Sequence, residues 1–164
     1  MIFGNITFLR RVKSEDFPFI MEWENDPEMW PISETPGPFD EKTIRNFIDL
    51  SGNLEIDAQE RWVIFAHNNR PVGLIDFFSF DSSSKSAGIG IMIAKKTDRR
   101  HGFAYDAIMT MLENLRESAR VNSLRALIYT DNEPSIKLFG KCGFDAKGTK
   151  YYRGKPAIQF VKYL

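Results

Sequence analysis

The chain has 164 residues, 43% hydrophobic and 27% charged, which suffices to bury a core and is too apolar for a disordered segment. Its 22 basic and 22 acidic side chains cancel, so the basic excess of a nucleic-acid binder is absent, and its single cysteine rules out an internal disulfide. No apolar run approaches the ~18 residues of a membrane span, residues 1–13 lack a signal-peptide core, and no Cys/His cluster has zinc spacing; the expectation is a soluble cytoplasmic protein without a metal, folded as a single domain over residues 1–164.

In chain order, Ile6 to Val12 is β-rich with partial alternation and predicts a first strand. Ser14 can cap a helix carrying Phe17, Ile20, Met21 and Trp23 on one apolar face, with Pro18 tolerable in its first turn. Asn25 to Pro38 holds Pro27, Pro31, Pro36, Gly37 and Pro38 and predicts an irregular loop. Asp40 caps a second helix through Ile44, Phe47, Ile48 and Leu50, ending near Gly52. Trp62 to Ala66 and Val72 to Phe78, separated by Asn68, Asn69 and Pro71, predict a hairpin. The turn Ser82 to Ser84 leads into a strand from Ala87 to Ile93. The longest helical pattern starts near Gly102, with Ala104, Ile108, Met111, Leu112, Leu115 and Ala119 at intervals of three and four. A strand over Leu124 to Thr130, a short helix over Glu133 to Lys141 and two strands around Arg153-Gly154 complete the pattern. The order β-αα-βββ-α-β-α-ββ predicts an α/β or α+β domain with a mixed sheet.

The turn Arg99-Arg100-His101-Gly102-Phe103-Ala104 joins a strand to the long helix. A helix start exposes unpaired N–H groups at the positive end of the helix dipole, and a glycine there lets an anion approach the backbone. Arg99, Arg100 and a protonated His101 add positive charge. By itself this pattern reads better as a solvated basic turn, because short glycine patterns match by chance. A second constellation, Asn132-Glu133-Pro134-Ser135-Ile136-Lys137-Leu138-Phe139-Gly140-Lys141-Cys142-Gly143-Phe144, follows the next strand.

Together the two segments resemble the GNAT superfamily of N-acetyltransferases. Arg99, Gly102 and Ala104 fill its Arg/Gln-x-x-Gly-x-Gly/Ala signature, and Asn132, Ser135, Leu138, Gly143 and Phe144 fill its downstream pattern. The resemblance extends through Ala87 to Ile93 and, more loosely, Trp23 to Glu28. It implies an acyl-CoA N-acyltransferase fold with a mostly antiparallel sheet of about seven strands and about four helices. It implies acetyl-CoA as co-substrate, with the backbone of Ile91, Met92 and Ile93 along the pantetheine arm. Amides from Arg100 to Ala104, in the turn that Arg99 opens, would hold the diphosphate. Asn132 and Ser135, with Phe139 on the same helix, would touch the cofactor near its pantetheine; a helix cap is the alternative role for Asn132.

Acetyl transfer needs a neutral amine, and therefore a base. Many relatives carry glutamate where this chain has Gly88, and a tyrosine acid where it has Phe139. Asp76, a carboxylate in an otherwise apolar strand, is the substitute base, with an outward-facing surface residue as the alternative reading. Tyr129 and Tyr152 are candidate acids. Cys142 is read as a small buried residue rather than a nucleophile.

The acceptor site is expected in the helix–loop–helix from Ser14 to Gly52. There Glu22, Glu24, Asp26, Glu28, Glu34, Asp40 and Glu41 alternate with Trp23, Trp30 and Phe39, a composition suited to a cation. The order of elements looks like spermidine and ribosomal-protein N-terminal acetyltransferases. The expected reaction is acetylation of a polyamine, another small amine or a peptide N-terminus by direct attack. A CoA-binding module with lost activity and an unrelated nucleotide binder are the competing readings. The last strand, Ala157 to Leu164, could close the sheet or pair with a second copy in a homodimer.

Overall fold

The computed structural model describes residues 1–30 and 37–164. One eight-stranded sheet carries the fold, in the order β1-β2-β3-β4-β5-β6-β8-β7. Its strands are β1 (Ile2–Phe3), β2 (Thr7–Arg11), β3 (Glu60–Ala66), β4 (Pro71–Asp81), β5 (Ser86–Ile93), β6 (Ser123–Tyr129), β7 (Asp145–Tyr152) and β8 (Lys155–Tyr163). Every neighbouring pair is antiparallel except β5 and β6. Parallel neighbours need a long crossover, and here it is helix α4 (Phe103–Ser118).

The sheet buries apolar side chains on both faces. On one, Ile75, Phe77, Ile89, Leu124, Ala126 and Ile128 pack with Ala107, Ile108, Met111, Leu112 and Leu115 of α4 and with Phe139 of α5 (Glu133–Lys141). The three-and-four spacing along α4 puts those five residues on one side, and that side is the buried one. On the other face, Val63, Phe65 and Leu74 pack with Ile20 and Trp23 of α1 (Phe17–Glu24) and Ile44 and Ile48 of α2 (Glu41–Asp49). Asp40 caps α2 as expected, its Oδ1 accepting from the Thr43 amide at 2.7 Å. Pro18 lies in the first turn of α1, where its missing N–H costs nothing.

The mixed fold matches the expectation, with differences at short elements. The two-residue β1 and the four-residue α3 (Leu54–Asp57) are additional, and β1 raises the strand count among the described residues to eight. Helix α3 is held by the Asn53 side chain, which accepts from the Glu55 and Ile56 amides. Ser14 opens a 3-10 turn over Ser14–Asp16 instead of capping α1. Ala119 leaves the α4 stripe: it is the helix C-cap in left-handed conformation, its amide returned to Leu115 and Arg116. Pro31, Glu34 and Pro36 of the expected irregular loop lie outside the described residues.

Candidate active site

Strands β5 and β6 pair only at Ser86–Ser123, Ala87–Leu124 and Gly88–Arg125. Beyond Gly88 they part, because β5 stays in register with β4 out to Ile93–Gly73 while β6 follows β8 out to Tyr129–Ala157. The opening is a groove of about 670 Å³. Gly90, Ile91 and Met92 line one arm, Leu127 and Tyr129 the other, with Asn132, Ser135 and Phe139 of α5 beside them. It continues through to Glu24, Arg61 and Asp76 on the α1/α2 face. The inner edge of β5 from Gly90 to Ile93 therefore faces no strand.

The turn into α4 lies past the C-terminal end of β5. Arg100 and Gly102 both take left-handed backbone angles, φ 66° and 87°, which suits glycine and costs the arginine. Gly102 is the helix N-cap and offers no side-chain acceptor. Among the described residues, the amides from Arg100 to Ala104 have no hydrogen-bond partner. Arg100, His101 and Gly102 are exposed and Phe103 and Ala104 half-buried, so this first turn is open to solvent. Arg99 is the exception. Its guanidinium turns back, Nε donating to the Ile93 carbonyl at 3.2 Å and Nη2 to the Ala94 carbonyl at 3.3 Å, and so fastens the end of β5. The preceding 3-10 turn, Lys96–Asp98, is anchored separately: Arg70 donates to both oxygens of the buried Asp98 at 2.6 and 2.9 Å.

Asp76 faces the groove in a three-membered ionic cluster, neither apolar-packed nor fully exposed. Arg61, its partner across the β3–β4 pairing, donates from Nε to Oδ1 at 2.6 Å and from Nη2 to Oδ2 at 3.4 Å. Arg61 Nη1 reaches Glu24 Oε1 at 3.1 Å, and its guanidinium stacks on the Phe47 ring. Burial pushes the Glu24 carboxyl above its ordinary value; Arg61 opposes that and the Asp76 charge reinforces it. The cluster carries a net single negative charge when both carboxylates are ionised.

Of the other expected residues, Asn132 uses Oδ1 to accept the Ser135 amide at 3.3 Å, the cap that was its alternative role, while still lining the groove. Phe139 is buried edge-on against Phe144 at 5.0 Å. Tyr129 and Tyr152 lie 6.4 Å apart in the groove wall, under Lys155 and Arg153 respectively. The Phe78 ring occupies the space beside Gly88 that a side chain there would enter. Cys142 is buried, and desolvation pushes its thiol up to about 11. Among the described residues, no group of three or more His, Cys, Asp or Glu side chains could hold a metal ion. The acidic acceptor composition disperses: Glu28 pairs with Lys96, Glu41 with Arg45, and Trp23 is core, leaving Glu24 in the groove.

The groove thus gathers Asp76, Ile91, Met92, Asn132, Ser135 and Phe139, with Ile93 and the Arg99–Ala104 turn beyond its end. Sequence reasoning missed Arg61, Phe78, Arg125, Lys150 and Arg153, all of which line it. A signal for Arg61 existed: it and Asp76 are equidistant from the Asn68-Asn69 turn, so the hairpin register alone places them opposite each other.

Residues 7–145 match the family described as "Acetyltransferase (GNAT) domain". An uncharacterized N-acetyltransferase, p20, of Bacillus licheniformis is 24% identical over 142 residues, covering 85% of this chain and 79% of the relative. The fold superposes on the spermidine N-acetyltransferase of Vibrio cholerae, solved with CoA and spermine, at a TM-score of 0.84, with 17% identity and 96% and 95% of the two chains covered. It superposes on RimL, a ribosomal L7/L12 alpha-N-protein acetyltransferase solved with coenzyme A, at 0.86, with 14% identity and 98% and 96% covered. With most of its length matched, two signatures in order and the parted strands in place, this chain belongs to the GNAT family of N-acetyltransferases.

Proposed function

We propose that the protein transfers the acetyl group of acetyl-CoA to a primary amine (a polyamine, another small amine or a peptide N-terminus) by direct attack. The observation that carries this reading is the pairing of two unsatisfied backbone surfaces. One is the amide cluster from Arg100 to Ala104 at the solvent-open start of α4, and the other is the inner edge of β5, which meets no strand beyond Gly88 and whose Ile93 carbonyl alone is held, by Arg99. The first suits a diphosphate, with amides and helix dipole both favouring negative charge. The second suits a chain bearing its own amides, which Ile91, Met92 and Ile93 would receive as they would a neighbouring strand. Asn132, Ser135 and Phe139 border the same opening and would bound the thiol end.

Bound acetyl-CoA would supply an activated acetyl group on a thiolate, a leaving group stable enough near neutral pH to depart without a proton donor, so the phenylalanine at position 139 is tolerated. The chain's own task is then proton removal from the incoming ammonium. The Glu24–Arg61–Asp76 cluster is placed for it. Arg61 covers both Asp76 oxygens, so Asp76 would orient the guanidinium and its charge would help Glu24 keep a raised affinity for protons. A base whose pKa is drawn toward the working pH transfers protons more effectively. Tyr129 and Tyr152 remain candidate proton donors to the leaving sulfur.

We further read residues 1–164 as one domain of a cytoplasmic protein; the last strand, expected either to close the sheet or to meet a second copy, is paired on both sides by β6 and β7, so a second copy would have to meet the exposed outer strand β7 instead. Incubation with acetyl-CoA and a panel of amines, following release of free thiol, tests the function. Calorimetric binding of CoA with no thiol released for any amine would refute catalysis while keeping the fold's cofactor site.

A further inference from the structure

The groove has a second wall whose cations the reaction described so far does not use. In β6, Leu124, Ala126 and Ile128 belong to the core under α4, so the alternating Arg125, Leu127 and Tyr129 face the opposite side of the sheet. That is the side of Glu24, Arg61 and Asp76. Register carries the same face across β8 to β7, where Tyr129 pairs with Ala157 and Ala157 with Lys150. Arg153 closes this wall in the tight β7–β8 hairpin. It takes φ 48° and Gly154 φ 79°, a two-residue turn with both central residues left-handed, where asparagine would ordinarily stand first.

Arg125, Lys150 and Arg153 all line the groove, and among the described residues none has a carboxylate partner. Arg10, Arg11, Arg45, Arg61, Arg70 and Arg120 each hold an acidic side chain, while Arg99, Arg100 and Arg116 hold none among the described residues. What sets the three groove cations apart is that strand register gathers them on one groove wall. The cations are also on the wrong face to serve the diphosphate, since α4 and its first turn pack on the other side of the sheet. The groove is therefore electrically polarised. One end holds a cluster of net single negative charge and the other three positive charges without a carboxylate partner among the described residues, with the parted strands between them.

We propose that the acceptor is an amine carrying its own anionic group, a carboxylate or phosphate, received by Arg125, Lys150 and Arg153 while the amine lies toward Glu24 and Asp76. This rests on the transferase reading and narrows it. A polyamine would bring a second ammonium to a wall of like charge, and such juxtaposition is penalised while an oppositely charged terminus is drawn in.

The test compares amines of similar length and different terminal charge with acetyl-CoA, reading thiol release: 4-aminobutyrate, 3-aminopropylphosphonate, 1,4-diaminobutane and butylamine. The expected result is a kcat/KM for one of the two anionic amines above that for diaminobutane and butylamine, falling as salt is added. The better of the two identifies carboxylate or phosphate as the group recognised. In the double variant Lys150→Glu/Arg153→Glu, the ratio of kcat/KM for that anionic amine to that for diaminobutane should fall by about tenfold or more. Circular dichroism and the KM for acetyl-CoA report whether the variant has kept its fold and cofactor site, and Lys150→Gln gives the same comparison with less disturbance. Diaminobutane or butylamine turned over as well as both anionic amines, or a ratio unmoved in both variants, overturns this inference alone. No thiol release with any amine overturns the transferase reading and this one with it.

Discussion

The Phe78 ring lies over Gly88, its register partner on the adjacent strand, where a β-carbon on the glycine would overlap three ring carbons. The position at which many relatives keep a catalytic glutamate is thus sterically filled from β4, and glycine is what the ring permits. Gly88→Glu should cost roughly 2 kcal/mol by overpacking and lower the melting temperature by about 4–8 °C. Adding Phe78→Ala should recover at least half of that. Equal melting of the single and double variants would refute the steric coupling.

Glu24 and Asp76 should separate in their pH profiles. Activity depending on the carboxylate form of Glu24 rises with pH through a value above the ordinary one, since burial has raised it. Glu24→Gln should lower kcat by ~10²-fold, in line with loss of a general base, and flatten that limb. Asp76→Asn removes a negative neighbour, so the limb should remain and shift to lower pH. A limb that persists unchanged in Glu24→Gln would assign the base elsewhere.

Asp106, in the first turns of α4, accepts the Asn5, Ile6 and Thr7 amides and the Thr7 hydroxyl at 2.7–3.0 Å, tying the β1–β2 turn to the helix. Burial alone would raise its pKa, but these bonds together hold it below the ordinary value. The stability it contributes is accordingly present above the ordinary carboxylate pKa and is lost as pH falls through the lower folded value. Asp106→Ala should cost roughly 3 kcal/mol in urea unfolding near neutrality, with buried donors left unpaired. The gap between wild type and Asp106→Asn should narrow as pH drops below about 4.

The Arg70–Asp98 pair fastens the 3-10 turn just before the amide cluster. Arg70→Ala leaves a buried carboxylate without its cation and should loosen the approach to α4. A rise of several-fold in the KM for acetyl-CoA is expected, with kcat changed by less than about twofold, because only the diphosphate end is affected. Steady-state kinetics at saturating amine checks it; a kcat loss at unchanged KM would contradict the assignment.

Cys142, buried and with its thiol pushed up to about 11, has almost no thiolate at neutral pH. Cys142→Ala should retain turnover within about threefold, and native protein should resist iodoacetamide until denatured. Acetylated Cys142 trapped by rapid acid quench and seen by mass spectrometry would contradict direct transfer.

The long elements were legible because their periodicity is unambiguous. The α4 stripe from Ile108 to Leu115 and the α5 boundaries at Glu133 and Lys141 follow the pattern in the residues. Short elements held by single side chains, α3 through Asn53 and β1 through its pairing with Leu9 and Phe8, leave no periodic trace. For the site, the turn at Gly102 and the cap at Asn132 were visible as motifs. The ionic cluster was legible only in part: the hairpin register sets Arg61 opposite Asp76, but Glu24 is far from both in sequence and nothing local joins it to them. The three groove cations were invisible for a related reason: what joins them is the register across β6, β8 and β7, which brings distant positions to one groove wall.

The parting of β5 from β6 also bears on association. A sheet ordinarily leaves unpaired main chain only at its two rims, where it invites stray strands; this one has two further such borders in its interior. They are shielded by shape. The pairings at Ser86, Ala87 and Gly88 shut one end of the cleft, and α4 and α5 cover its back. Bare peptide groups at the centre of the fold are thus reached only from within that cleft, unlike those at a sheet's rims, which any passing strand can meet.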